Sequence, residues 1–205
     1  MNILKDKNMK RVVFLVSAGG GTMKFIYSRR EELDIDIIGV IGDRECKALE
    51  YARGAGINCD VMNFDNQQGL TERLAHFNPD VVVTTVWRIL KPEVLQLPIE
   101  FINVHYSLLP AHRGVIGTKY LHESRKKGEK YTGATLHRVN EDVDSGEILA
   151  QMVFRNTEYC IETIFEAGCL LLGQWFIGVT NEDYWLRLNN QMVLSSTVIN
   201  IKYKK

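Results

Sequence analysis

Arg11-Val12-Val13-Phe14-Leu15-Val16-Ser17, followed without a break by Ala18-Gly19-Gly20-Gly21-Thr22, is the stretch whose reading decides the fold. The first seven residues form a continuous β-branched and aromatic run, the composition of a strand buried on both faces. The glycines then force a tight turn. Met23 to Leu33 carries apolar residues at 23, 25, 26 and 33 among charges, a spacing that predicts a helix. The opening unit is therefore strand, glycine loop, helix. Such a loop lets backbone N–H groups come close to an anion, with the positive end of a helix dipole behind them. It lacks the Gly-x-Gly-x-x-Gly spacing and the P-loop lysine, so a plain turn and an anion cradle both fit.

The same alternation continues outward. Ile35–Ile41 is a second apolar strand ending in Gly42-Asp43, Glu45–Ala55 has helical spacing closed by Gly56, and Asn58–Met62 is a short third strand. Gly69–Phe77 predicts a helix, Asn78-Pro79-Asp80 a turn and Val81–Val86 a buried strand. Strands alternating with helices imply an α/β fold, a parallel sheet with helices on both faces and ligands gathered at the carboxyl ends of the strands. Further on, Phe101–His105 predicts a strand and Gly114–Lys127 a helix. Tyr131–Val139 alternates, with Gly133, Thr135, His137 and Val139 on one face, and Glu147–Phe154 returns after a polar loop. Two strands so joined can pair antiparallel, which makes the sheet mixed but mostly parallel. Ile161–Val179 predicts the last long helix, and Tyr184–Tyr203 adds short strands.

The bulk numbers exclude several classes. At 205 residues and 45% hydrophobic content the chain can bury a full core, and the expectation is one domain over 1–205, with a core at about 11–180 and a C-terminal extension at 181–205. Twenty-five basic residues balance 25 acidic ones, so no overall field favours nucleic acid. Cys46, Cys59, Cys160 and Cys169 show no Cys-x-x-Cys pairing, which suits reduced thiols in a cytoplasm better than a disulfide frame or a metal site. The apolar stretch Ile164–Val179 contains Glu166 and Gln174 and falls short of the roughly 20 residues of a bilayer span, so no membrane partner is expected. The oligomeric state is not encoded in any readable pattern.

The chemistry concentrates in Phe101-Ile102-Asn103-Val104-His105-Tyr106-Ser107-Leu108-Leu109-Pro110. Asn103, His105 and Ser107 are spaced two apart, so on a strand they share a face. Taken singly, Asn103 reads as a turn cap, His105 as a core histidine and Asp144 as a loop stabiliser. Together with Asp142-Val143-Asp144-Ser145-Gly146, however, Asn-x-His-x-Ser-Leu-Leu-Pro resembles the signature of the folate-dependent formyltransferases. The resemblance stays in register over about 170 residues, taking in Trp87-Arg88-Ile89-Leu90 and Thr132-Gly133-Ala134-Thr135-Leu136-His137.

That resemblance implies a Rossmann-like formyltransferase fold and an enzyme moving the formyl group of 10-formyltetrahydrofolate to an amine. It implies Asn103, His105 and Asp144 as the catalytic trio. Negative charge developing on the formyl oxygen needs fixed donors in a water-shielded site, here the Asn103 amide and a protonated His105. A carboxylate at Asp144 would hold the imidazolium and organise proton transfer. The folate is expected between Trp87, Arg88, Ile89 and Leu90 on one side and Val139 and Asn140 on the other, with Gly19, Gly20, Gly21 and Thr22 on a substrate phosphate. Ser107 is expected to shape the substrate site rather than act as nucleophile.

The resemblance of residues 11–90 is to the glycinamide ribonucleotide branch; that of Arg113-Gly114 and of Gly133 to Arg138 is to the sugar and transfer-RNA branches. A small phosphate-bearing amine is the expected acceptor, with glycinamide ribonucleotide the nearest candidate. A nucleotide-linked amino sugar, water in a hydrolase, and a non-catalytic folate-binding relative are the alternatives.

Overall fold

The structure, a computed structural model, describes residues 9–117, 120–156 and 161–178 with their side chains, and the backbone of 184–188 and 191–195. In chain order the elements are β1 (Lys10–Val16), α1 (Gly21–Tyr27), α2 (Arg30–Leu33), β2 (Ile35–Gly42), α3 (Lys47–Gly54), β3 (Cys59–Val61), α4 (Gln67–Phe77) and β4 (Val81–Thr85). They continue with α5 (Pro92–Leu95), β5 (Glu100–His105), α6 (Tyr120–Lys126), β6 (Tyr131–Arg138), β7 (Ile148–Arg155), α7 (Ile161–Phe176), β8 (Tyr184–Leu188) and β9 (Gln191–Ser195). Seven strands form one sheet in the order β3-β2-β1-β4-β5-β6-β7, and β8 and β9 form a separate antiparallel pair. β1 to β5 run parallel, while β6 pairs antiparallel with both β5 and β7. This is the mixed, mostly parallel sheet that the alternating pattern predicts.

β1 explains why both faces are covered. Val12, Phe14 and Val16 point into one apolar layer with Met23 and Ile26 of α1, Leu49 of α3 and Leu172 of α7. Val13 and Leu15 point into the other, with Leu70, Leu74 and Phe77 of α4 and Val94 of α5. A strand sandwiched this way can carry no polar alternation, which is why the 12–16 run is uniformly greasy.

Several helices differ from expectation at their ends, α3 running only from Lys47 to Gly54, and three of the differences have a visible local reason. Met23–Leu33 divides into α1 and α2, because the Ser28 hydroxyl donates to the Phe25 carbonyl at 2.7 Å and the Arg30 guanidinium to the Tyr27 carbonyl at 3.0 Å, drawing off the end of the first turn set. α4 begins at Gln67, two residues before Gly69, since the Asn66 side chain accepts the Gly69 N–H at 3.0 Å as an N-cap. The expected helix from Gly114 starts only at Tyr120 among the described residues, because Gly114 and Gly117 sit at φ 73° and 65°, outside helical space. α7 ends at Phe176, short of the expected Val179, with Gly178 at φ 77°. Among the described residues no helix is long and apolar enough to cross a membrane.

Candidate active site

The site is assembled where the parallel and antiparallel halves of the sheet meet. In the β5–β6 ladder Asn103 lies opposite His137 and His105 opposite Thr135, so their side chains share one face and come within reach. His137 Nε2 is 3.2 Å from Asn103 Oδ1. The Asn103 amide is oriented from the other side by β4, where its Nδ2 donates to the Thr84 carbonyl at 2.7 Å and approaches Thr84 Oγ1 at 3.1 Å.

His105 ends β5 and is buried. Its Nε2–H donates to the His112 carbonyl at 2.9 Å, and its Nδ1 faces Asp144 Oδ2 at 3.4 Å. The other carboxylate oxygen, Asp144 Oδ1, is 3.6 Å from His137 Nε2, and Oδ2 also accepts the Gly114 N–H at 2.9 Å. One carboxylate thus reaches two imidazoles and a backbone donor. Asp144 occupies the left-handed region at φ 51°, where aspartate and asparagine are among the few tolerated residues. Ser145 closes its loop by donating to Asn140 Oδ1 and the Asp142 carbonyl, both at 2.9 Å.

These groups floor a cleft of about 530 Å³ whose walls come from 84–90, 114–117 and 139–144. Its mouth is apolar and open: Trp87 is 54% exposed, Ile89 63%, Ile116 55% and Val143 45%. A concave apolar site with a few convergent polar groups is the usual form of a small-molecule pocket. The 87–90 wall has no regular structure and is pinned at its ends, Trp87 N–H on Ser17 Oγ at 3.1 Å and Lys91 N–H on Gln67 Oε1 at 2.9 Å. Arg44, itself held by Asp43 at 2.8 Å, lies 5.4 Å from the Trp87 ring.

The formyl transferase family profile matches residues 10–161, which contain every group just described. The chain belongs to the formyl transferase family. It is 32% identical over 173 residues to formyltetrahydrofolate deformylase of Haemophilus influenzae, covering 78% of this chain and 60% of that protein. It is 30% identical over 165 residues to the chloroplastic phosphoribosylglycinamide formyltransferase of Arabidopsis thaliana, covering 73% of this chain and 56% of that one. The chain therefore spans less than two thirds of the length of these relatives. Glycinamide ribonucleotide transformylase 1 from Symbiobacterium toebii superposes with a TM-score of 0.76 over 95% of this chain and 98% of that one, at 24% identity, which establishes the shared fold.

In this member of the family the structure brings Asn103, His105 and Asp144 together with Trp87, Arg88, Ile89, Leu90, Val139 and Asn140 around one cleft. It places the other expected residues elsewhere. Ser107 lies beyond the end of β5, fully buried, with its carbonyl accepting from Thr135 Oγ1 at 2.7 Å, and it does not line the cleft. Spacing by two shares a face only while the strand lasts. Gly19, Gly20, Gly21 and Thr22 also stand outside the cleft lining, and the Thr22 hydroxyl is engaged by Tyr106 Oη at 2.5 Å. Tyr106 stacks on Phe165 of α7 with ring centroids 5.7 Å apart, and burial pushes its hydroxyl pKa up. Sequence reasoning missed His137. The alternation of Tyr131–Val139 already set it on a face with Thr135, but its pairing with Asn103 is a matter of register that no local pattern carries.

His137 is 2% exposed, and both its nitrogens face oxygens, since Nδ1 lies 2.8 Å from the Arg138 carbonyl. Burial nonetheless pushes its pKa down, outweighing the Arg138 carbonyl and Asp144, which favour the proton. The sign follows: the unfolded chain takes up this proton first as the pH falls, so the folded state loses stability below about pH 6.5. Urea titrations at pH 7.5 and 5.5 should show a smaller acid loss for His137→Gln than for the parent; equal losses would contradict the assignment.

The Asp144 loop is sensitive at one more point. A Cβ on Gly146 would sit 1.9 Å from the Arg138 carbonyl oxygen, and a backbone atom cannot swing aside. Gly146→Ala should cost about 1–3 kcal/mol and displace Asp144, seen as a lower melting temperature together with a fall in turnover. A variant with the parent's melting temperature would show that the loop is free to move.

Proposed function

We propose that the chain transfers the formyl group of 10-formyltetrahydrofolate to a small amine. The observation that carries this is the placement of Asp144 against His105, His137 and Gly114 at the floor of a cleft with an apolar, exposed mouth. The donor carries its formyl group on a nitrogen that links a partly apolar heterocycle to a second ring, and the cleft suits it: Trp87, Ile89, Leu90, Val139 and Val143 offer apolar walls. Peptide groups of Arg88 and Leu90 would read the polar edge of the ring. His105 would share its Nε2–H between the His112 carbonyl and the formyl oxygen as charge develops there, with Asp144 holding the second proton on Nδ1. Asn103 would contribute its amide from the Thr84 side, and Asp144 would order a water that carries the proton from the attacking nitrogen to the departing one. No group of three or more His, Cys, Asp or Glu side chains among the described residues is arranged to hold a metal ion.

For the acceptor, the reading is a phosphorylated amine with glycinamide ribonucleotide the nearest candidate. Its support is the likeness to proteins named phosphoribosylglycinamide formyltransferase and the exposed glycine loop beside Tyr106. With the Thr22 hydroxyl already paired, backbone N–H groups of that loop would meet the phosphate. A second reading has water as acceptor. It is favoured by the deformylase name of the Haemophilus influenzae relative and by that same engaged Thr22 hydroxyl. A nucleotide-linked amino sugar is the third acceptor to test.

Thermal shift tests the donor and turnover separates the acceptors. Ligand at about a hundred times its Kd stabilises the native state by about 2.7 kcal/mol, so a stable 10-formyltetrahydrofolate analogue should raise the melting temperature clearly. No shift would remove the folate reading. Turnover is then measured with glycinamide ribonucleotide, an amino-sugar nucleotide or water alone. The phosphorylated-amine reading requires the first to be fastest. Binding without turnover in all three identifies a folate-binding protein instead.

A further inference from the structure

The carbonyl that holds His105 belongs to a residue whose own side chain is tied down outside the cleft. His112 Nε2 lies 2.9 Å from Glu129 Oε2, and the His112 ring packs on Tyr120 with centroids 4.8 Å apart. Two residues on, the Gly114 N–H donates to Asp144 Oδ2. The short segment 112–114 therefore touches both members of the His105–Asp144 pair: its first carbonyl takes the His105 Nε2–H and its last N–H takes the carboxylate. The geometry of the pair is only as well fixed as this segment. Within the turn itself the His112 N–H makes a long bond of 3.3 Å to the Leu108 carbonyl, so the Glu129 contact is the firmer anchor.

Glu129 is a rigid post. It follows Gly128 between α6 and β6, its N–H donates to the Ser124 carbonyl at 3.0 Å, and its own carbonyl accepts from Asn156 Nδ2 at 3.1 Å. Asn156 Nδ2 also donates to Ser124 Oγ at 2.6 Å, so α6, the turn and the end of β7 are tied at one point. Neither His112 nor Glu129 lines the cleft.

We propose that His112 and Glu129 are positioning residues: the Glu129 carboxylate fixes the His112 ring, the ring fixes its peptide, and the peptide carbonyl aims His105 Nδ1 at Asp144. The inference rests on His105 being catalytic as proposed above. No bond is made or broken at either residue. Their effect is on the angle and tautomer of an imidazole, and misplacing a catalytic group by about 1 Å can cost on the order of a hundredfold.

The test uses the full chain with Glu129→Ala, Glu129→Gln and His112→Phe. Glu129→Ala should lower kcat about tenfold with the KM for the formyl donor unchanged, because the folate walls do not touch Glu129. Glu129→Gln should recover most of that loss, since it keeps an oxygen within reach of His112 Nε2. In long-range ¹H–¹⁵N spectra of the histidine rings, the His105 nitrogens should shift or broaden in Glu129→Ala and return in Glu129→Gln. Unchanged His105 signals in both Glu129→Ala and His112→Phe overturn the proposal, whatever happens to rate. If the chain moves no formyl group at all, the catalytic reading fails, and the ring-nitrogen spectra still decide the positioning. Should His112→Phe not fold, the partly exposed Glu129 substitutions carry the test alone.

Discussion

Asp144→Asn is expected to fold as the parent does and to lose at least a hundredfold in turnover, about 2.7 kcal/mol of barrier. Folding should survive because asparagine tolerates the φ of 51° at this position and keeps a side-chain oxygen for the Gly114 N–H. Chemistry should not, because the neutral amide no longer offsets a proton on His105 Nδ1 at 3.4 Å, nor balances His137 Nε2 at 3.6 Å. The amide could also present N–H to a ring N–H, reversing an attraction. Steady-state rates beside circular dichroism and a thermal melt decide the matter. A folded variant with turnover within a few-fold of the parent would end the assignment of Asp144.

His105→Asn is the second large effect. The imidazole lines the cleft with an acceptor on each nitrogen, the His112 carbonyl and Asp144, and in the proposed reading it carries a proton toward the reacting oxygen. General acid catalysis of this kind contributes typically about 10²–10⁴-fold, and a loss of at least a hundredfold is expected. Asparagine is smaller and polar, and the position closes a strand rather than filling the apolar layers, so the native fold should be retained. Since His105 and Asp144 touch, the double variant should be far less than additive; independent, multiplying losses would mean that the two act separately.

Most of the sheet is legible in the sequence, because Arg11–Ser17 and Val81–Val86 can satisfy their composition only inside a two-faced sheet. The ends of helices were not. Ser28 and Arg30 cut one helix into two by side-chain bonds to carbonyls, and Gly114 and Gly117 replace a predicted helix start with a loop whose N–H serves Asp144. The first break is set by carbonyls only three residues back, but the second serves a partner distant in sequence. The same holds for the site. Asn103, His105 and Asp144 were legible through a motif, whereas His137, His112 and Glu129 owe their places to strand register and to a turn. Ser107 shows the reverse error: a periodicity carried past the residue where its strand ends.

The antiparallel register of β5 and β6 sets a rule for how this chain can vary in length. His137 reaches Asn103 because an even alternation separates it from the apolar Leu136, which faces the opposite layer. Inserting or deleting one residue within β6 would exchange those two faces, sending the imidazole into the hydrocarbon layer and a leucine onto the cleft floor. Inheritance should thus permit sequence drift in β6 far more readily than any change in its residue count. The exposed turn at Lys127 and Gly128 faces no such parity constraint and is free to grow or shrink, provided Glu129 still arrives at His112.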